Sequence, residues 1–226
     1  RETTRMIVRA ALTGKGTVYF DDVSLAVVGS REVAISNPHD PQTAHLIARR
    51  LPVTKDCMVL AYLPGWNHGE VDNLGVSDNS GGVRTLLAWE MPSPKEVDDV
   101  ELRFILALYC RRSLLRDGPG RLEIYKLLGE WGERTSWNSQ PDISHESAAS
   151  CDVPSGEGWK MLDVTDVVRE QARTPHANFG VALGLPAKKT DQDTWSEIDF
   201  ISRESDSQGL RPMLLVVRPD PESPER

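Results

Sequence analysis

Apolar and polar residues alternate with a period of two along most of the chain. This is the pattern of strands with one face buried. It predicts strands at Thr17–Phe20, Val23–Val28, Cys57–Tyr62, Arg84–Trp89, Val100–Tyr109, Leu122–Leu128, Phe179–Leu185, Ser196–Ile201 and Met213–Val217. Glycine and proline clusters at Ser80–Gly82, Pro92–Pro94, Asp117–Gly120 and Ser155–Gly158 read as turns between them. Many short strands with such punctuation predict an antiparallel β-sandwich. One stretch changes period. From Asp163 to Pro175 the apolar residues fall at 164, 167, 168 and 172, which is one face of a helix. This predicts a short helix near 165–173 that closes the core, capped by Asp163 or Thr165 and stopped by Pro175.

Composition narrows the class. Of 226 residues, 39% are hydrophobic and 27% charged, the balance of a globular chain. The net charge of −8 disfavours nucleic acid as a partner, since that requires a basic face. Arg49-Arg50 and Arg111-Arg112 read as solvated charge in turns. No apolar run reaches the ~18 residues of a membrane-spanning helix. The three cysteines, Cys57, Cys110 and Cys151, form no CxxC, and Cys110 reads as a small buried hydrophobe in a strand. Sequence signatures of serine hydrolases, zinc proteases, P-loop enzymes and dinucleotide-binding enzymes are missing. The alternating acids of Asp191–Asp199 resemble the start of a calcium loop, yet Ser196 stands where the loop glycine belongs. A solvated hairpin is the simpler expectation there.

An ordered set of motifs resembles one family. Arg84-Thr-Leu-Leu-Ala-Trp-Glu90, Val100–Phe104, Leu122–Tyr125, Trp131-Gly-Glu133, Ser136-Trp-Asn138 with Pro141, Trp159–Thr165, Phe200–Glu204 and Arg211–Leu214 follow the pattern of DNRLRE-type domains. These include the family 96 carbohydrate-binding modules and relatives of archaeal disaggregatase. The resemblance runs over about residues 33–218. It implies an all-β, antiparallel, jelly-roll-like β-sandwich and polysaccharide binding, alginate among the ligands. Ala88, Trp89, Glu90 and Ser136 depart from the pattern. A shorter resemblance, at Gly16–Leu25, is to the final strands of a jelly-roll carbohydrate-binding module. It implies Asp21 or Asp22 as a ligand of a structural Ca2+. Residues 1–30 are therefore expected to be the tail of a truncated preceding domain, 31–218 the main domain, and the proline-rich 219–226 a linker.

Tryptophans are the natural platforms for sugar rings, whose C–H faces stack on indole while polar side chains bind the hydroxyls. Trp131 and Trp137 are expected as interior plugs at a strand end, because Glu133 and Thr135 share their side in an extended chain and a buried unpaired Glu is costly. Trp66 sits among the turn formers of Tyr62–Gly69, and Trp195 lies in a polar hairpin out of phase with Ile198 and Phe200. Trp66, Asn67, His68, Arg84 and Trp195 are thus the candidate carbohydrate-binding residues.

The resulting expectation is a non-catalytic carbohydrate-binding or adhesive module. It would belong to a larger secreted or cell-surface bacterial protein, with polysaccharide and flanking domains as partners and no cofactor beyond the structural calcium. The alternatives are a spacer domain without ligand and a polysaccharide-cleaving, disaggregatase-like enzyme.

Overall fold

In β4 (Arg103–Leu114), Phe104, Leu106 and Leu108 face one way, and Ile105 and Ala107 the other, yet all five are buried. The same holds in β10 (Met213–Val217), where Leu214 and Val216 enter the main core and Leu215 and Val217 a second cluster. A strand covered on both faces has no polar phase, so its sequence reads as a continuous apolar run.

The computed structural model describes residues 35–78, 82–115, 120–174, 178–186 and 196–218. The other strands are β1 (Ile47–Leu60), β2 (Asn73–Ser77), β3 (Val83–Trp89), β5 (Gly120–Lys126), β6 (Ala149–Val153), β7 (Gly158–Asp163), β8 (Val181–Gly184) and β9 (Glu197–Ile201). Every pairing among them is antiparallel. The order β1-β10-β4-β9-β2-β3 closes on itself through β3–β1, making a six-stranded barrel. From β3 the sheet continues through β8, β5 and β6, and β7 pairs with β4. The all-β, antiparallel expectation holds.

Two long strands make closure possible. Residues 47–52 of β1 pair with β10, and residues 53–60 pair with β3, with a register shift at Val53/Lys55 where the partner changes. β4 pairs with β10 over 103–107 and with β9 over 110–114, again across a register shift. An extra residue at such a point bends the strand and lets it serve two neighbours.

The predicted helix is α2 (Thr165–Arg173), with Val164, Val167 and Val168 buried in the main core. The N-cap is Val164, with no side-chain cap, in place of the expected Asp163 or Thr165; Asp163, just before it, accepts the Thr165 N–H at 2.9 Å. The Thr165 hydroxyl instead accepts the Phe104 N–H at 3.0 Å, which ties the helix to β4. Pro175, its expected stop, lies outside the described residues.

Four further expectations need correction. Pro92–Pro94 is no simple turn but the entry to a second helix, α1 (Pro94–Asp98). Ser93 caps it, the Glu96 carboxylate accepts the Ser93 N–H at 2.8 Å, and Pro94 takes the first helical position, where no N–H is needed. Arg49-Arg50 and Arg111-Arg112 lie in strands β1 and β4, not in turns. Trp131 is buried, 8% exposed, and its Nε1–H donates to the Phe179 carbonyl at 2.6 Å, but it lies on an irregular segment and not at the end of a strand. Trp137 is only half-buried, at the start of a single 3-10 turn.

Glu133 is paired, not left in the interior. The Arg203 Nε–H donates to it at 2.8 Å, and the Arg203 backbone N–H donates to Asp56 at 2.7 Å. Asp56 is 1% exposed, and burial pushes its carboxyl up to about 6 against the lowering effect of the Arg203 N–H. Cys110 is buried as expected, and all three cysteines are free thiols. The predicted strands at 17–20 and 23–28, residues 1–30 as a whole, and segment 219–226 lie outside the described residues.

Candidate functional site

The connection from β1 to β2 carries the most exposed aromatic side chains among the described residues. Tyr62 is 52% and Trp66 64% exposed. Pro64 and Gly65 turn the chain, and two hydrogen bonds hold the turns: the Leu63 N–H to the Leu60 carbonyl at 3.2 Å and the Trp66 N–H to the Leu63 carbonyl at 3.0 Å.

The loop is clamped from beneath by segment 131–140. The Asn67 amide donates to the Glu133 carbonyl at 2.6 Å, and the Asn138 N–H donates to the Pro64 carbonyl at 2.9 Å. Gly69 lies so close to that segment that a Cβ would collide with the Glu133 carbonyl oxygen. The polar groups of the loop are spent underneath, and the two rings are left facing outward. Holding a binding loop in place before the ligand arrives lowers the ordering cost of binding.

Tyr62 borders a cleft of about 430 Å3. Gly75 of β2 forms its floor, where a Cβ would come within 3.0 Å of the Met58 sulfur. Asn73, Arg111, Arg112, Glu197 and Asp199 supply its polar lining. Arg112 binds two carboxylates at once: Nε–H donates to Asp199 Oδ2 at 3.0 Å and Nη2–H to Glu197 Oε1 at 2.6 Å. Burial raises the Glu197 pKa, Asp199 raises it further, and Arg112 pulls it back. Arg111 stands 3.8 Å from Asp72.

The residues picked from sequence separate into four groups. Trp66 is exposed on the same loop as Tyr62 but is not among the residues that line the cleft. Asn67 and His68 are in the same loop, Asn67 exposed with its amide on segment 131–140 and His68 half-buried. Asn67 forms the clamp, and the His68 Nε2 is buried without a partner, with burial lowering the imidazole pKa. Arg84 is elsewhere. Its guanidinium stacks on Trp137 at 4.8 Å and donates to Gln140 at 3.4 Å, and burial lowers its pKa. Trp195, Asp21 and Asp22 lie outside the described residues, as do Asp191 and Asp193 of the acidic stretch. Its other half, Glu197 and Asp199, forms β9, and the cation between these two carboxylates is Arg112. Among the described residues, no three His, Cys, Asp or Glu side chains converge as a metal site.

Sequence reasoning missed Tyr62, Asn73, Arg112, Glu197 and Asp199 as neighbours. Arginines 111 and 112 and the alternation at 197 and 199 were the available signals. Only pairing of β9 with both β2 and β4 brings them together.

Two exposed aromatics on a clamped loop of an antiparallel β-barrel, one of them bordering a polar cleft, are features of a binding module. The family model for carbohydrate-binding module family 96 matches residues 48–218, and the chain belongs to that family. No curated protein matches the chain.

Proposed function

We propose that this module binds polysaccharide without cleaving it, through Trp66, Tyr62 and the adjoining cleft. The observation that carries this reading is the exposure of both rings on a loop clamped from below. Single exposed apolar side chains are ordinary, but two rings on one clamped loop, with Tyr62 bordering a polar cleft, match the two needs of a sugar, a flat C–H face and hydroxyl partners. Family membership points the same way. Asn67 and His68 support the loop in this reading, and Arg84 forms part of the neighbouring surface through Trp137. Trp195 precedes β9 by two residues in sequence and is assigned to the same binding region.

The other readings have less support. A spacer would not need exposed rings on a clamped loop. For cleavage, the cleft offers Glu197 and Asp199, both of which accept hydrogen bonds from the one guanidinium of Arg112. Glycosidase pairs stand ~5–9.5 Å apart, with the sugar between them. Tyr125, hydrogen-bonded to Glu123, has its phenol pushed up to about 12 by burial first and then by that carboxylate, which makes it a poor base at neutral pH.

We also read the barrel as a jelly-roll-like sandwich in which β1 and β4 pass between the two sheets. The module is assigned to a secreted or cell-surface bacterial protein, where it would hold neighbouring polysaccharide-active domains near their substrate and raise its local concentration.

Affinity electrophoresis in gels containing polysaccharide tests the binding assignment. Retention is expected for the parent chain, and Trp66→Ala and Tyr62→Ala are each expected to weaken it about tenfold or more. Migration unchanged by every polysaccharide tried, or equal retention of both variants, would sink the assignment.

A further inference from the structure

We infer that Arg84, laid against Trp137 next to the exposed loop, is a subsite that grips a carboxylate carried by the bound polysaccharide. This rests on the binding assignment above and goes further by adding a specificity-determining residue outside the cleft.

Alternation along β3 sets the position. Val83 lines the cleft, so Arg84 projects from the opposite face of the strand. There its guanidinium lies 4.8 Å from the centre of the Trp137 ring. Trp137 ties this face to the loop of Trp66, because the neighbouring Asn138 N–H donates to the Pro64 carbonyl at 2.9 Å. Gly184 of β8 leaves Arg84 room to lie down on the sheet. A Cβ there would already stand 4.0 Å from Arg84 Cγ and 3.9 Å from Tyr125 Cε2, and a longer side chain would crowd both.

The charge of Arg84 is half-buried and not met by the protein. Nη1–H donates to the Gln140 amide oxygen at 3.4 Å, and among the described residues no carboxylate pairs with it. The nearby Tyr125 hydroxyl gives its hydrogen bond to Glu123. Burial lowers the Arg84 pKa, whereas Arg112 and Arg218, each serving two carboxylates, have theirs raised. A cation drawn partly out of water without a counter-charge bears a desolvation cost that an incoming anion offsets. Stacking on indole fixes the guanidinium plane and leaves N–H donors along its edge, which a carboxylate meets with two parallel hydrogen bonds. The plane is set before the ligand arrives, so little ordering remains to be done on binding. The net charge of −8 opposes an acidic chain at a distance, but screening over ~8 Å at physiological salt leaves the contact to local groups.

The test compares acidic polymers with their own neutral esters, using the full chain in affinity gels. Alginate is set against propylene glycol alginate, and polygalacturonate against highly methyl-esterified pectin, with hydroxyethyl cellulose and xylan run beside them. Retention on at least one acid form is expected to exceed that on its ester by about fivefold or more, and to weaken as salt is raised. Arg84→Gln is expected to lower this acid-to-ester ratio by about fivefold, and Arg84→Lys, which keeps the charge but not the planar fork, by less. Trp66→Ala should weaken both forms together and leave the ratio standing. If its melting curve shows that Arg84→Gln does not fold, Arg84→Lys is read in its place, with a lowered ratio still expected. A merely structural Arg84 would lower acid and ester alike, so a folded Arg84 variant with the parent's ratio overturns the inference. Equal retention of acid and ester by the parent chain, or retention on neutral polymers alone, also overturns it and leaves polysaccharide binding standing. Failure on every polymer removes the binding assignment and the inference with it.

Discussion

Two tryptophan-bearing segments of similar composition end in opposite places. Tyr62–Gly69 and Trp131–Pro141 each combine indole with Gly, Asn, Pro and charged or polar neighbours. Yet Trp66 is 64% exposed and Trp131 8%. The difference lies in what is beneath each ring. Trp131 rests on the outer face of the β1–β3–β8 sheet, among Cys57, Leu86 and Ala182, and its indole N–H has the Phe179 carbonyl. The sheet offers an apolar floor and an acceptor, and a buried indole needs both. Trp66 has neither among the described residues, because the surface under its loop is the 131–140 segment, which spends its carbonyls on Asn67. The buried tryptophan segment is thus the foundation on which the exposed one stands.

Exchange of roles between the two rings is the sharpest way to break this comparison. Trp131→Ala is expected to lower stability by ~3–5 kcal/mol, through lost burial and a residual cavity. Trp66→Ala should change it by less than ~0.5 kcal/mol while weakening sugar binding. Denaturant titration of both variants, read beside their gel retention, checks this. Similar destabilisation by the two changes would mean that the loop ring is part of the core.

The buried carboxylate that accepts the Arg203 N–H gives the next effect. Asp56 has its pKa raised from 3.8 to about 6 by burial, so its contribution to stability is complete below the unfolded value and is lost as pH rises through about 6. Between pH ~4 and ~6 stability should fall by up to ~3 kcal/mol on this account, and Asp56→Asn should flatten that slope. Denaturant midpoints of parent and variant across that range measure it. An equal slope in the two proteins would exclude Asp56 as its origin.

The smallest effect sharpens the clamp. Gly69→Ala forces the loop away from the Glu133 carbonyl and is expected to cost ~1–3 kcal/mol. It should also weaken sugar binding more than its loss of stability explains, because Trp66 moves with the loop. Gel retention at a temperature where the variant remains folded separates the two effects.

Much of the fold was legible because central strands cannot hide. β3, β4, β9 and β10 carry runs that no loop would tolerate. The first half of β1 was missed because Arg49, Arg50 and Pro52 interrupt the run, although Leu51 and Val53 point inward between them. β2 was missed because it is five residues long with Gly75 at its centre, and that glycine is there to let Met58 approach. At the site, local turn chemistry revealed the loop of Trp66. It gave no warning that the Asn67 amide would bond to segment 131–140, since its acceptors lie 66 residues and more away in sequence. The motifs Trp131-Gly-Glu133 and Ser202-Arg203-Glu204, far apart in the chain, meet through Glu133 and Arg203. They identify a family by its scaffold, which is why they located the fold better than the sugar.

The pairing of Ile47 with Val217 places the entry to the first strand beside the exit from the last, and the Arg218 N–H extends the seam to the Leu46 carbonyl at 2.9 Å. Tension applied through chain on either side of this region would therefore act at one point on the barrel wall. It would open the β1–β10 seam like a zipper, one hydrogen bond after another, instead of loading all the bonds in parallel.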